Sequence, residues 1–276
     1  MKTHQLYQGR VPLLISVPHA GTFVPADIKR RMTEAALKLP DTDWHQEKIY
    51  YDMHEELGAS LLTATHSRYV VDLNRAPDDT ELYPGKLKTG LVPLDTFEGD
   101  KLYQAGEEPD PIEKANRVTA YWHPYHDALQ GELARMRREF GIALLYDGHS
   151  IASTVPRLFD GVLPDLNLGT VNGESCAAAL EQCFYAALEN KGFSTVLNER
   201  FIGGYITRNY GKPAQNIHAL QMELTWKNYM QQEVWPYHYA PEKAEKLAAV
   251  LKDALAALID FATEEFSRNV QPLARG

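Results

Sequence analysis

Cysteine is scarce. Only Cys176 and Cys183 occur among 276 residues, in one alanine-rich stretch and too far apart along a helix to bridge, with no zinc-finger spacing. A disulfide framework is thereby excluded, and both read as reduced thiols. No apolar run approaches the length of a membrane span, and the N-terminal "MKTHQLYQGR" carries charge without an adequate hydrophobic stretch behind it. No membrane segment or leader is read, and a cytoplasmic protein is expected. Positive charge is also short: no basic run exceeds Lys29-Arg30-Arg31 and the formal net charge is −9, so nucleic acid and anionic membrane are excluded as partners. An anionic small molecule would need a few placed arginines working against the overall field. Repeats and low-complexity tracts are absent.

With 44% hydrophobic and 24% charged residues, the composition is that of a globular protein, and the length suits one large domain, 1–276. Strand-like and helix-like runs alternate. "LLISV" is short, β-branched and bounded by prolines, as a buried strand is; helical patterns follow over residues 26–39 and 44–57. Glycine, proline and charge dominate 83–111, which reads as a surface excursion around a site. A helical pattern over 113–140 is broken at Pro124, residues 142–146 form a buried strand, and helical stretches occupy 174–190 and 242–266. The alternation predicts an α/β three-layer sandwich around a mixed, mainly parallel sheet.

Two strands each deliver a histidine. His19 follows "LLISVP", and in "IALLYDGHS" the strand ends at Tyr146 with Asp147, Gly148 and His149 behind it. Reactive groups gather beyond the carboxyl ends of strands in open α/β sheets, and neighbouring strands would converge both imidazoles on one point, as a catalytic zinc site with three protein ligands requires. Asp147 suits either a partner for an imidazole N–H or a turn. "DTDWHQEK" offers Asp41, Asp43, His45 and Glu47 at the start of a helix, where capping alone would place acids, so spacing leaves the third ligand open. His123 and His126 in "YWHPYHD" suit capping or a substrate-facing role. In "SRYVVDLNR", Arg68 opens a predicted strand closed by Asp72, Asn74 and Arg75. Asn74-Arg75 suits anchoring a carboxylate through a forked guanidinium, the alternative being a salt bridge from Arg75 to Asp72 or Asp78. Glu223, on the alternating strand "HALQMELT", needs a partner or a raised pKa, and a raised pKa serves a general base.

"VPHAG", "SRYVVDLNR", "YDGHS" and "LQMEL", in that order, resemble the N-formylglutamate deformylase (amidohydrolase) family, itself distantly similar to zinc carboxypeptidases and aspartoacylase. The resemblance implies a phosphorylase/hydrolase-like, zinc-exopeptidase-like fold with one divalent metal, zinc, held by His19, Asp43 and His149. Carboxypeptidases take a glutamate three residues after the first histidine; this chain has Thr22 there, and the ligand must come from elsewhere. The resemblance further implies that Arg68 stabilises the oxyanion, that Asn74 and Arg75 hold one carboxylate, and that Glu223 is general base and acid. From "GGYITRNYG" it offers Arg208 for a second carboxylate. The implied reaction is hydrolysis of dianionic N-formyl-L-glutamate to formate and L-glutamate, the last step of a histidine degradation route. Two alternatives stand beside it: an amidohydrolase for another N-acyl amino acid, and a non-catalytic binder of acidic metabolites. A serine hydrolase is disfavoured because "GESCA" around Ser175 lacks the second glycine of a nucleophile elbow. Histidine and carboxylate ligands also accept cobalt, nickel and manganese, and oligomeric state is not encoded in any motif.

Overall fold

The computed structural model describes residues 2–80 and 89–266, so part of the expected excursion over 83–111 lies outside the described residues. Strand β2 (Leu13–Val17) is buried along its whole length. Leu13, Ile15 and Val17 join one apolar cluster and Leu14 another, which is how a central parallel strand covered on both faces reads. The other strands are β1 (His4–Tyr7), β3 (Ser60–Ala64), β4 (Ala143–Ile151), β5 (Leu166–Gly169), β6 (Thr195–Leu197) and β7 (Ile217–Thr225). Their order is β1-β3-β2-β4-β7-β5-β6. β3, β2, β4 and β7 are parallel neighbours, β1 lies antiparallel on β3, and β5 runs antiparallel to β7 with β6 parallel to β5.

Eight α-helices accompany the sheet among the described residues: α1 (Ala26–Lys29), α2 (Glu34–Leu37), α3 (Gln46–Leu57), α4 (Pro111–Arg117), α5 (His123–Phe140), α6 (Ala178–Leu188), α7 (Tyr205–Tyr210) and α8 (Pro241–Phe266). Ile49 and Met53 of α3, Phe184 of α6 and Leu251 and Leu255 of α8 cover one face of the sheet. Leu129, Leu133 and Met136 of α5, with Ile206 of α7, cover the other. This is the expected three-layer α/β sandwich with a mixed sheet. None of the described helices is long and apolar enough to cross a membrane.

Four local readings are corrected. Residues 26–39 form two single-turn helices because Thr33 starts afresh as an N-cap, its hydroxyl accepting from the Ala36 N–H at 3.2 Å. Pro124 lies in the first turn of α5, and the irregularity moves upstream into a π-helical turn, Val118–Trp122, that joins α4 to α5. Residues 67–75 do not form a strand. The Val70 N–H donates to the Ser67 carbonyl at 2.8 Å and the Asn74 N–H to Asp72 Oδ1 at 2.8 Å, local turns that replace ladder bonds. β4 does not stop at Tyr146: it pairs with β7 through Ile151 opposite Thr225, so His149 lies on the strand, directly opposite Glu223.

Candidate active site

His19 lies just past the end of β2 and His149 near the end of its parallel neighbour β4, which puts their rings 4.9 Å apart between centroids. Asp43 comes from the turn before α3. Its N–H donates to the His19 carbonyl at 3.1 Å, and left-handed backbone at His45 (φ 63°) then turns the chain into the helix. Asp43 Oδ2 thereby approaches His149 Nδ1 at 3.2 Å and His19 Nδ1 at 3.7 Å. One ligand atom from each of His19, Asp43 and His149 lies within 4.8 Å of the others, and all three residues are buried. Asp41 is engaged elsewhere, its Oδ2 accepting the Phe97 N–H at 2.9 Å.

These residues fit a cation. The buried His19 Nδ1 has no hydrogen-bond partner, while its Nε2 lies 2.8 Å from Asp72 Oδ1, the arrangement in which a carboxylate orients a metal-binding imidazole. The other nitrogen of His149, Nε2, lies 3.0 Å from Asp147 Oδ2 and 2.9 Å from Asn74 Nδ2. Burial would raise the Asp43 pKa, but its contacts to His149 and His19 hold it at about 2. Burial would lower that of His149, yet the Asp147 and Asp43 carboxylates raise it well above the usual imidazole value. These carboxylates thus favour positive charge between them, which a divalent ion displacing the imidazole proton would also supply.

Asp72 ties the site together. Besides His19, it accepts from Arg68 Nη2 at 2.6 Å and from the Asn74 backbone at 2.8 Å. Burial would raise its pKa, but Arg68, then His19 and Arg75, hold it well below the carboxylate range. Replacing Asp72 by Asn keeps the shape and removes the charge. Affinity for a divalent ion, measured by chelator competition, is expected to fall about 10–100-fold, and an unchanged affinity would refute the orienting role.

A cavity of about 370 Å³ opens onto His19, Asp43 and His149 and is also lined by Arg68, Asn74, Arg75 and Glu223. Arg68 is buried, with its guanidinium carbon 4.8 Å from the centre of the Phe97 ring. Asn74 Oδ1 accepts the Ile206 N–H at 2.8 Å while Nδ2 faces His149. Arg75 donates from Nε to the Thr89 carbonyl at 3.0 Å, from Nη1 to the Asn74 carbonyl at 3.0 Å and from Nη2 to the Thr89 hydroxyl, all neutral acceptors, which leaves a second N–H on each Nη. Glu223 is buried, and among the described residues its carboxyl makes no ion pair or side-chain hydrogen bond. Burial pushes its pKa up to about 8, His149 opposing and Asp43 adding to the rise. No cation therefore pairs directly with Glu223 among the described residues.

Two placements depart from expectation. Arg208 is not among the residues lining the cavity; its Nε donates to the Gly203 carbonyl at 2.9 Å. The additional cations on the wall are Arg157 and Arg200, neither of which lies in a motif of the sequence. His126 does not face the cavity either. It is buried against Trp122 with Nε2 2.9 Å from the Leu73 carbonyl, while His123 is exposed. Ser175 is buried and donates to the Ala219 carbonyl at 2.8 Å. Sequence reasoning also missed Asp72 as the partner of His19; its signal was the acid two residues before Asn74, which reads equally well as a salt-bridge partner of Arg75.

Comparison with known proteins matches this architecture over its whole length. The sequence profile of the N-formylglutamate amidohydrolase family matches residues 11–230. An N-formylglutamate deformylase of Pseudomonas putida is 47% identical over 268 residues, covering 97% of this chain and 99% of the relative. One from Pseudomonas aeruginosa is 48% identical over 264 residues, covering 94% and 97%. Among solved structures, N-formylglutamate amidohydrolase from Ralstonia eutropha JMP134 superposes with a TM-score of 0.81 at 25% identity, covering 98% of this chain and 100% of the other. On the strength of that profile and of two near-full-length relatives, the chain belongs to the N-formylglutamate amidohydrolase family.

Proposed function

We propose that this protein is a metal-dependent amidohydrolase that splits N-formyl-L-glutamate into formate and L-glutamate, acting in the cytoplasm as a single domain at the end of a histidine degradation route. The observation that carries the reading is an unpaired buried carboxyl, Glu223, across one strand pair from His149, within a cavity that also holds His19, Asp43 and several arginines. The names of the curated relatives support the substrate. His19, Asp43 and His149 would hold one zinc ion, whose Lewis acidity polarises the formyl carbonyl and acidifies water when it is bound. Glu223 takes a proton from the attacking water at its carboxylate and passes it to the amide nitrogen as the C–N bond breaks. Arg68, already fixed by Asp72, offers positive charge to the oxyanion. Arg75, with Asn74 beside it, holds one substrate carboxylate. A binder without turnover would have no use for an unpaired carboxyl beside a site for a metal ion.

Purified protein is expected to release formate from N-formyl-L-glutamate far faster than acetate from N-acetyl-L-glutamate or formate from N-formyl-L-aspartate. Preference for either control would replace the substrate while keeping the amidohydrolase; binding without release of acid would leave only a metabolite binder. Arg75→Met is expected to weaken substrate binding by about 1.5–3 kcal/mol with metal content and folding intact. Wild-type KM in that variant would refute its role.

A further inference from the structure

Resting on this reading of the substrate as a dianion, we propose that Arg200 is the specificity-determining residue that receives the side-chain carboxylate of N-formyl-L-glutamate. The cavity wall carries two cations beyond Arg68 and Arg75, and they are not equivalent. Arg157 already faces a carboxylate: its Nη1 donates to the Thr96 carbonyl at 2.7 Å and its Nη2 lies 4.0 Å from Asp95 Oδ2. Arg200 has no such partner among the described residues. Its Nε is buried without a hydrogen-bond acceptor, and its guanidinium carbon sits 5.4 Å and 5.8 Å from the ring centres of Phe159 and Phe201. A guanidinium is permanently charged, so a buried donor left unmatched between aromatic rings is costly unless an acceptor arrives with a ligand. Planar, forked donors match a carboxylate.

The loop that bears Arg200 is pinned like a binding element. A Cβ on Gly169 would lie 2.6 Å from the Phe201 carbonyl oxygen, and one on Gly204 only 2.3 Å from Asn74 Nδ2, so both glycines permit contacts no other residue allows. The Val171 N–H donates to the Ile202 carbonyl at 2.6 Å and the Gly204 N–H to Gln221 Oε1 at 2.7 Å. Arg208 adds its bond to the Gly203 carbonyl, so the arginine of "GGYITRNYG" holds this loop. One end of the loop thus touches Asn74, beside the Arg75 subsite, and the other presents Arg200.

The test compares kcat/KM for N-formyl-L-glutamate with that for N-formyl-L-glutamine, which differs only in the side-chain charge. In the wild type the ratio is expected to favour glutamate, and in Arg200→Met it should fall by about tenfold or more, carried by KM. Arg75→Met should lower both values and keep the ratio. Arg200→Gln is assayed alongside, with melting temperature and metal content, so that the outcome does not hang on one folded variant. A ratio that survives both substitutions overturns the assignment while leaving the substrate reading intact. A wild type inert toward N-formyl-L-glutamate overturns that reading and this assignment with it.

Discussion

Glu223→Gln is expected to fold, load metal and bind substrate normally, yet turn over about 10²–10⁴ times more slowly. The amide is nearly isosteric with the carboxyl and cannot take up a proton. The proposed general-base role accounts for a carboxyl that is buried, that burial raises to a pKa of about 8, and that has no ion pair among the described residues. Were Glu223 the buried partner of a cation, its loss would strand that charge and destabilise the fold by about 3–5 kcal/mol. Melting temperature, metal content and kcat on one preparation separate the two. A folded, metal-loaded variant with near-normal kcat would remove Glu223 from the mechanism, and a large drop in melting temperature would restore the structural role.

Exhaustive chelation is expected to abolish formate release, and stoichiometric zinc to restore it. The same treatment should lower the melting temperature, since a ligand that binds only the folded state at 100 times its Kd adds about 2.7 kcal/mol of stability. His19→Ala should behave as the chelated protein does in both respects, because it deletes the ligand nitrogen that has no other hydrogen-bond partner. Turnover that persisted with no metal detectable would refute the proposed mechanism. It would not revive a serine nucleophile at Ser175, which is buried and occupied by the Ala219 carbonyl.

The sequence made legible whatever depends on a single element and its period. The five-residue β2 announced itself by β-branching between prolines, so His19 could be placed at a strand end, and the alternation of "HALQMELT" set Glu223 against an apolar strand. Residues 67–75 resisted because their β-branched pair Val70-Val71 reads as strand, whereas their hydrogen bonds go to local turns and to the Leu91 carbonyl, a partner distant in sequence. Arg208 and Arg200 were indistinguishable as letters. Which of the two faces the cavity depends on how the loop after β6 is tied to Gly169, Asn74 and Gln221, and that information lies in three other segments. The extent of β4 is hidden for a similar reason: Gly148 reads as a strand stop until β7 pairs alongside it.

Asp72 accepts at once from the imidazole of His19, the guanidinium of Arg68 and the backbone of Asn74. Under the proposed mechanism, one carboxylate would therefore serve the ion's surroundings, the cation offered to the reacting carbonyl and the segment that holds the substrate, and occupancy on one side would change the field and the alignment felt on the other. By thermodynamic reciprocity, whatever factor the ion contributes to the affinity for substrate, substrate returns to the affinity for the ion. If that factor is favourable under the proposed mechanism, a chelator is expected to strip the ion more slowly from protein saturated with substrate than from protein without it.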